Sequence, residues 1–154
     1  MLALNVNELF LAELASPADP SLEGRYAFPI STASGSAATA VVYFEVAPGK
    51  RLGRHIDSSE EVIYVVEGVG TAEVGDEQAA LSAGALAVVP ALVPHDIHNT
   101  GTTPLKVVGF FAGSALMHAF FEPLLPGAET TIVVHGPDGE SLIAGTPFVP
   151  AMVS

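Results

Sequence analysis

Cysteine and tryptophan are absent from this chain of 154 residues. Without cysteine there is no disulfide framework and no thiolate ligand, so a metal here must be held by nitrogen and oxygen. Basic residues are scarce: Lys and Arg total 5 against 17 Asp and Glu, a formal net charge of -12. That balance repels polyphosphate and argues against a nucleic-acid partner or an anionic membrane surface. No apolar run reaches the ~20 residues of a spanning helix. The opening MLALNVNELF lacks a basic leader and carries Asn7 and Glu8, so it does not read as a secretory signal. These absences set the expectation of a cytoplasmic protein with no membrane partner.

What is present is 49% hydrophobic residues, only 14% charged ones, and many turn formers, with 15 Gly and 12 Pro. Short β-rich runs between frequent turns predict an all-β chain, long enough for one domain with a real core. Residues 1–154 read as one domain, with a core barrel over about 25–112 and extensions at 1–24 and 113–154 that wrap it. Residues 39–47 (TAVVYFEVA), 62–67, 85–89 and 105–111 have strand composition. Gly75-Asp76 marks a two-residue hairpin, and residues 136–139 (GPDG) mark another. Residues 25–30 (RYAFPI) read as an edge strand, because Pro29 cannot donate to a ladder. Two helical segments are also predicted. One is a turn or two within Val6 to Leu14, capped by Asn5 or Asn7. The other is a short helix over Ala115 to Phe121, capped by Ser114 and stopped by Pro123.

The stretch from Gly49 to Asn99 concentrates the chemistry. Its first half runs Gly49-x5-His55-x-Asp57-x3-Glu61-x6-Gly68, and its second Gly84-x5-Pro90-x-Leu92-x2-His95-x3-Asn99. His55 and Asp57, two apart, share one face of a strand, and Glu61 shares a face with Ile63 and Val65. His95 comes from another strand. Two imidazoles and two carboxylates suit one divalent metal ion, Fe, Mn, Ni or Zn. Four ligands from different strands converge only if the sheet curls round on itself. By parity Glu60 and His98 fall on the opposite faces, although a bulge could bring His98 inward.

These two halves closely resemble the two motifs of the cupin superfamily. The resemblance implies a double-stranded β-helix, or jelly roll, of the small RmlC-like kind, with the metal in its mouth. The family's usual ligands are three His and one Glu. By resemblance these positions are His55, Asp57 in place of the second His, Glu61 and His95. Leu92 stands where the family commonly has Gly. The second carboxylate cancels the charge of a divalent ion, which makes a weaker Lewis acid than a three-His site.

Tyr43, Glu45, Arg54, His98, Asn99, Phe111 and His118 are candidate pocket or supporting residues. Asn99 is expected to fix a turn. His118 is expected to pack on the short helix or act as a lid, and His135 to be exposed at a hairpin end. Tyr64 points outward, and a strand apolar on both faces predicts a homodimer. Three functions compete. The first is a metal-dependent enzyme on a small organic substrate, of dioxygenase, isomerase or lyase type, with Glu61 as its catalytic base. The second is a module that binds or stores a small ligand without turnover. The third is a structural cupin without metal.

Overall fold

The computed structural model describes residues 1–145. Within them the period-2 pattern of the sequence becomes strands that send one face inward. In order these are β1 (Ala12–Ala15), β2 (Glu23–Ile30), β3 (Ala40–Val46), β4 (His55–Asp57), β5 (Glu61–Glu67), β6 (Val69–Val74) and β7 (Glu77–Ser82), followed by β8 (Leu86–Val89), β9 (His95–Asn99), β10 (Leu105–Phe111), β11 (Leu116–Phe120), β12 (Thr130–Gly136) and β13 (Gly139–Gly145). They form two antiparallel sheets, ordered β1-β2-β3-β10-β5-β8 and β13-β12-β11-β4-β9-β6-β7. The inner face of the first sheet supplies Val42, Phe44, Ile63, Val65, Val107 and Phe111 to the core. The second adds Ala72, Leu81, Ile97 and Leu116. This is a jelly-roll barrel.

Both hairpins close as their turn residues require. Val74 pairs Glu77 across Gly75-Asp76, where Gly75 takes the left-handed φ of 59°. Gly136 pairs Gly139 across Pro137-Asp138.

Three sequence-based expectations are corrected. The predicted C-terminal helix is strand β11, laid antiparallel between β4 and β12. Leu116, His118 and Phe120 alternate inward there, and pairing on both sides outweighs the helix-like spacing. At the N-terminus only Val6–Glu8 turns, as a 3₁₀ segment capped by Asn5, and Leu14 belongs to β1. Strand β2 is not an edge, because β1 covers its first half from Glu23 to Tyr26. Pro29 is tolerated because it falls in the irregular step between Ala27 and Ile30, outside the β2–β3 ladder. The last nine residues of the predicted C-terminal extension, 146–154, lie outside the described residues.

Candidate metal centre

Strand register assembles the site. His55 lies opposite His95 in the β4–β9 pair, and Asp57 lies opposite His118 in the β4–β11 pair. Directly opposed residues on one face bring their side chains together. Glu61 approaches from the first sheet, opposite Phe111 and Val89. All five polar groups, His55, Asp57, Glu61, His95 and His118, are buried.

Backbone clasps orient the two histidines. His55 Nδ1 lies 2.7 Å from the Gly53 carbonyl, and His95 Nδ1 lies 2.9 Å from the Val93 carbonyl. Each carbonyl accepts the Nδ1 proton, so each Nε2 is left as the free lone pair facing the site. His95 Nε2 stands 3.2 Å from Asp57 Oδ2, and both atoms are buried without a hydrogen-bond partner. Two acceptors face each other there, and such a gap calls for a proton or a cation. His55 Nε2 is 3.6 Å from Asp57 Oδ1. Ligands held at about 2.1 Å from one ion are separated by roughly 3.0–3.5 Å, so the arrangement fits a first-row divalent metal. His55, Asp57 and His95 each present a ligand atom within 4.8 Å of the others.

Glu61 sits slightly wider, its Oε2 4.0 Å from His95 Nε2. Its carboxylate occupies space that only a glycine leaves open. A Cβ built on Gly109 would meet Glu61 Oε1 at 1.9 Å.

Electrostatics follow from this packing. Burial, reinforced by the Asp57 carboxylate, pushes Glu61 up to about 8. Burial, with His95 beside it, pushes His55 down to about 3. Asp57 is pushed up by burial, but the surrounding imidazoles of His55, His118 and His95 more than reverse this and hold it below the usual carboxylate range. Burial pushes His95 down, and the adjacent Asp57 carboxylate overrides it, leaving His95 above the ordinary imidazole value.

Beside the site lies a cavity of about 110 Å³. Phe28, Phe111, Phe120, Leu124 and Val133 wall it, with His55, Glu61, His95, His118 and His135 at its polar points. Of the candidate pocket residues, Phe111 and His118 line it. Tyr43 and Glu45 do not: they share the outer face of β3, where the Tyr43 hydroxyl donates to Glu45 at 2.8 Å. Arg54 is not among the lining residues. His98 faces out of β9, with Glu73 at 3.6 Å and Asp96 at 3.8 Å. Asn99 fixes the turn after β9, donating to the Val46 and Thr103 carbonyls and accepting from the Gly101 amide.

His118 and His135 are the residues that sequence reasoning misplaced. His118 is no lid on a helix, because its Nδ1 lies 2.5 Å from Asp57 Oδ1 in the buried site. His135 is 3% exposed, not open at a hairpin end, and its ring packs 3.7 Å from that of Phe28. The alternation of Leu116, His118 and Phe120 is the signal that could have found the first.

Comparison with known proteins agrees with this geometry. Residues 42–111 match the model of the cupin domain. The chain is 35% identical over 51 residues to an uncharacterised protein of Methanocaldococcus jannaschii, a match covering 33% of this chain and 41% of that relative. Among solved structures, it resembles a putative sugar phosphate isomerase from Acidithiobacillus ferrooxidans at a TM-score of 0.60 and 17% identity, over 92% of this chain and 91% of that one. The polyketide cyclase RemF from Streptomyces resistomycificus gives a TM-score of 0.61 at 18% identity, over 72% and 78% of the two chains. A predicted oxalate decarboxylase from Thermotoga maritima gives 0.62 at 19%, over 73% and 99%. At such identities these structures speak for the fold alone. The two-sheet barrel and the matched stretch, which contains His55, Asp57, Glu61 and His95, make residues 42–111 of this chain a small cupin domain.

Proposed function

We propose that this protein is a metal-dependent enzyme acting on a small organic molecule, with His55, Asp57, Glu61 and His95 holding one ion of Fe, Mn, Ni or Zn. The observation that carries the reading is the buried His95 Nε2 facing Asp57 Oδ2 with no hydrogen bond to satisfy either. The reaction is of the isomerase, lyase or dioxygenase type, and the first two find support in the structures of similar fold, a putative sugar phosphate isomerase, a polyketide cyclase and a predicted oxalate decarboxylase. When bound, the ion would polarise a chelating substrate as a Lewis acid. The chain's own groups do the rest. His55 and His95 are oriented through their backbone clasps, each with Nε2 turned to the site. The apolar walls keep bulk water from the substrate. Glu61, buried at the edge of the site and ionised while it holds the ion, takes or returns a proton at a carboxylate oxygen. A cytoplasmic homodimer is part of this proposal, supported by the outward apolar side chains of Tyr64, Val88 and Phe110.

The test is metal analysis of protein purified without added ions, followed by turnover screening with enediol, flavonoid and catechol-like compounds. Metal with turnover is the expected result. Metal without turnover makes the protein a binding or storage module, and no metal sinks the reading. Asp57→Ala is expected to lose metal, Asp57→His to keep most of it, and Glu60→Ala to leave occupancy unchanged, since Glu60 is exposed beside the site.

A further inference from the structure

Asp57 stands where a longer imidazole would reach further, so something must aim its short carboxylate. We propose that His118, on β11, is the positioning residue that does so, and that the metal centre therefore extends beyond the cupin-matched stretch that ends at residue 111. The inference rests on the metal reading above.

Three observations carry it. First, His118 Nδ1 donates to Asp57 Oδ1 at 2.5 Å, with both residues buried. This leaves Oδ2 as the oxygen without a partner, and Oδ2 is the one turned to His95 Nε2. One oxygen is thus tied to the protein and the other kept for the ion. Outer hydrogen bonds of this kind fix a ligand's orientation and tune its donor strength. Second, the bond is built by register, because Asp57 and His118 are directly opposed across the β4–β11 pair. A carboxylate alone on β4 would be free to rotate about its two side-chain torsions. Third, the His118 ring is itself immobilised. Phe28 lies 5.3 Å from it, Phe111 5.4 Å and His135 5.2 Å between ring centres. The three rings surround the imidazole, so it can serve as a fixed donor.

The roles differ from those of the ligands. His118 touches the ion only through Asp57, so its importance depends on position 57 being a carboxylate. With histidine at position 57, the imidazole ligates through its own ring and no longer needs a donor behind it. That conditional dependence separates positioning from general support of the fold.

The experiment is Mn(II) affinity measured by electron paramagnetic resonance and calorimetric titration on four proteins: wild type, His118→Ala, His118→Asn and Asp57→His, with His118→Ala repeated in the Asp57→His background. His118→Ala is expected to weaken Mn(II) binding 10–100-fold. His118→Asn, whose side-chain amide can donate from nearly the place of Nδ1, is expected to recover binding to within about fivefold of wild type. In the Asp57→His background the same His118→Ala change is expected to cost less than threefold. Equal affinity of wild type and His118→Ala overturns the inference. An equal loss in both backgrounds also overturns it, because the effect would then be structural. Failure of asparagine to rescue does the same. Wild-type protein that takes up no Mn(II), Fe(II), Ni(II) or Zn(II) overturns the metal reading and this inference with it, and that result is distinct from the other three.

Discussion

Leu92 has a backbone φ of 63°, the left-handed region that costs a residue with a Cβ about 1–2 kcal/mol. Its amide donates to the Asp57 carbonyl at 2.8 Å, which ties the turn before His95 to the strand bearing Asp57. Its side chain is 60% exposed, so little burial offsets the strain. Leu92→Gly is expected to raise the melting temperature slightly, by a net of ~0.5–1 kcal/mol after the extra flexibility of unfolded glycine is counted. Leu92→Val should lower it, and calorimetric melting of the pair checks the sign. Gly109 is the converse case. Gly109→Ala drives a methyl into the Glu61 carboxylate and also within 2.7 Å of Val42 Cγ1. Metal affinity should fall and stability drop by about 1–3 kcal/mol, read by titration and by denaturant melts. The facing of the four candidate residues was legible in the sequence because strand parity is a local property: His55 and Asp57 share a face, and Glu60 and Glu61 do not. The Leu92 turn was legible only as a departure from a glycine. Its strain and its bond to Asp57 depend on a contact across 35 positions of sequence, which no local pattern carries.

At the scale of the element, β4 and β11 show what the sequence hides. Strand β4 has only three residues, and its ladder to β9 is the single pair His55–His95. It is held in the sheet mainly by β11, which in turn needs β12. Removing residues 113–154 is therefore expected to expose β4 and to leave a chain that aggregates or fails to give a cooperative melt, checked by circular dichroism and gel filtration. The same sheet carries two histidines kept neutral by burial. Burial pushes His55 down to about 3, and burial with the neighbouring His118 pushes His135 down to about 4. Both folded values lie below the unfolded one, so both groups contribute stability at neutral pH and lose it as pH falls through the window from about 6.5 to 3. Glu61 has the opposite sign. Its folded value is raised, so its contribution is lost as pH rises from about 4.5 through 8. Metal-free protein should therefore be most stable near pH 6–6.5, and melting temperatures from pH 4 to 9 should trace that maximum. A curve that climbs steadily to pH 9 would contradict it. Segment 115–121 misled sequence reading because Leu116, Ala119 and Phe120 have the spacing of a helix face. One of the two partners that make it a strand, β4, lies some 60 residues upstream.

For the whole molecule, charge and shape decide association. The outward face of the β10–β5–β8 part of the first sheet aligns Phe110, Val62 and Val88 in one row and Val108, Tyr64 and Leu86 in the next. Leu86 is 69% exposed and Val88 57%. Sedimentation is expected to find a dimer at micromolar concentration, and Val88→Glu should shift it to monomer without changing metal affinity. The jelly roll itself was readable from composition, turn spacing and the two motifs. The ionic link between segments distant in the chain was not, and one side chain makes it. Arg51 pairs with Asp96 of β9 and with Glu122 after β11, each at 2.7 Å, and also with Asp19 near the N-terminus. Its guanidinium is one of only five basic groups in the chain, and it gathers three carboxylates from three distant segments. The Gly53 amide, two residues before His55, also donates to Asp96 at 2.9 Å. Segments that share one counter-ion cannot let go one at a time without stranding a buried charge. Amide hydrogens around Leu22, Gly53, Ile97 and Leu124 should therefore exchange with a single opening free energy, as one cooperative unit. In Arg51→Met that unit should open separately from the rest of the barrel, with the N-terminal strand exchanging first.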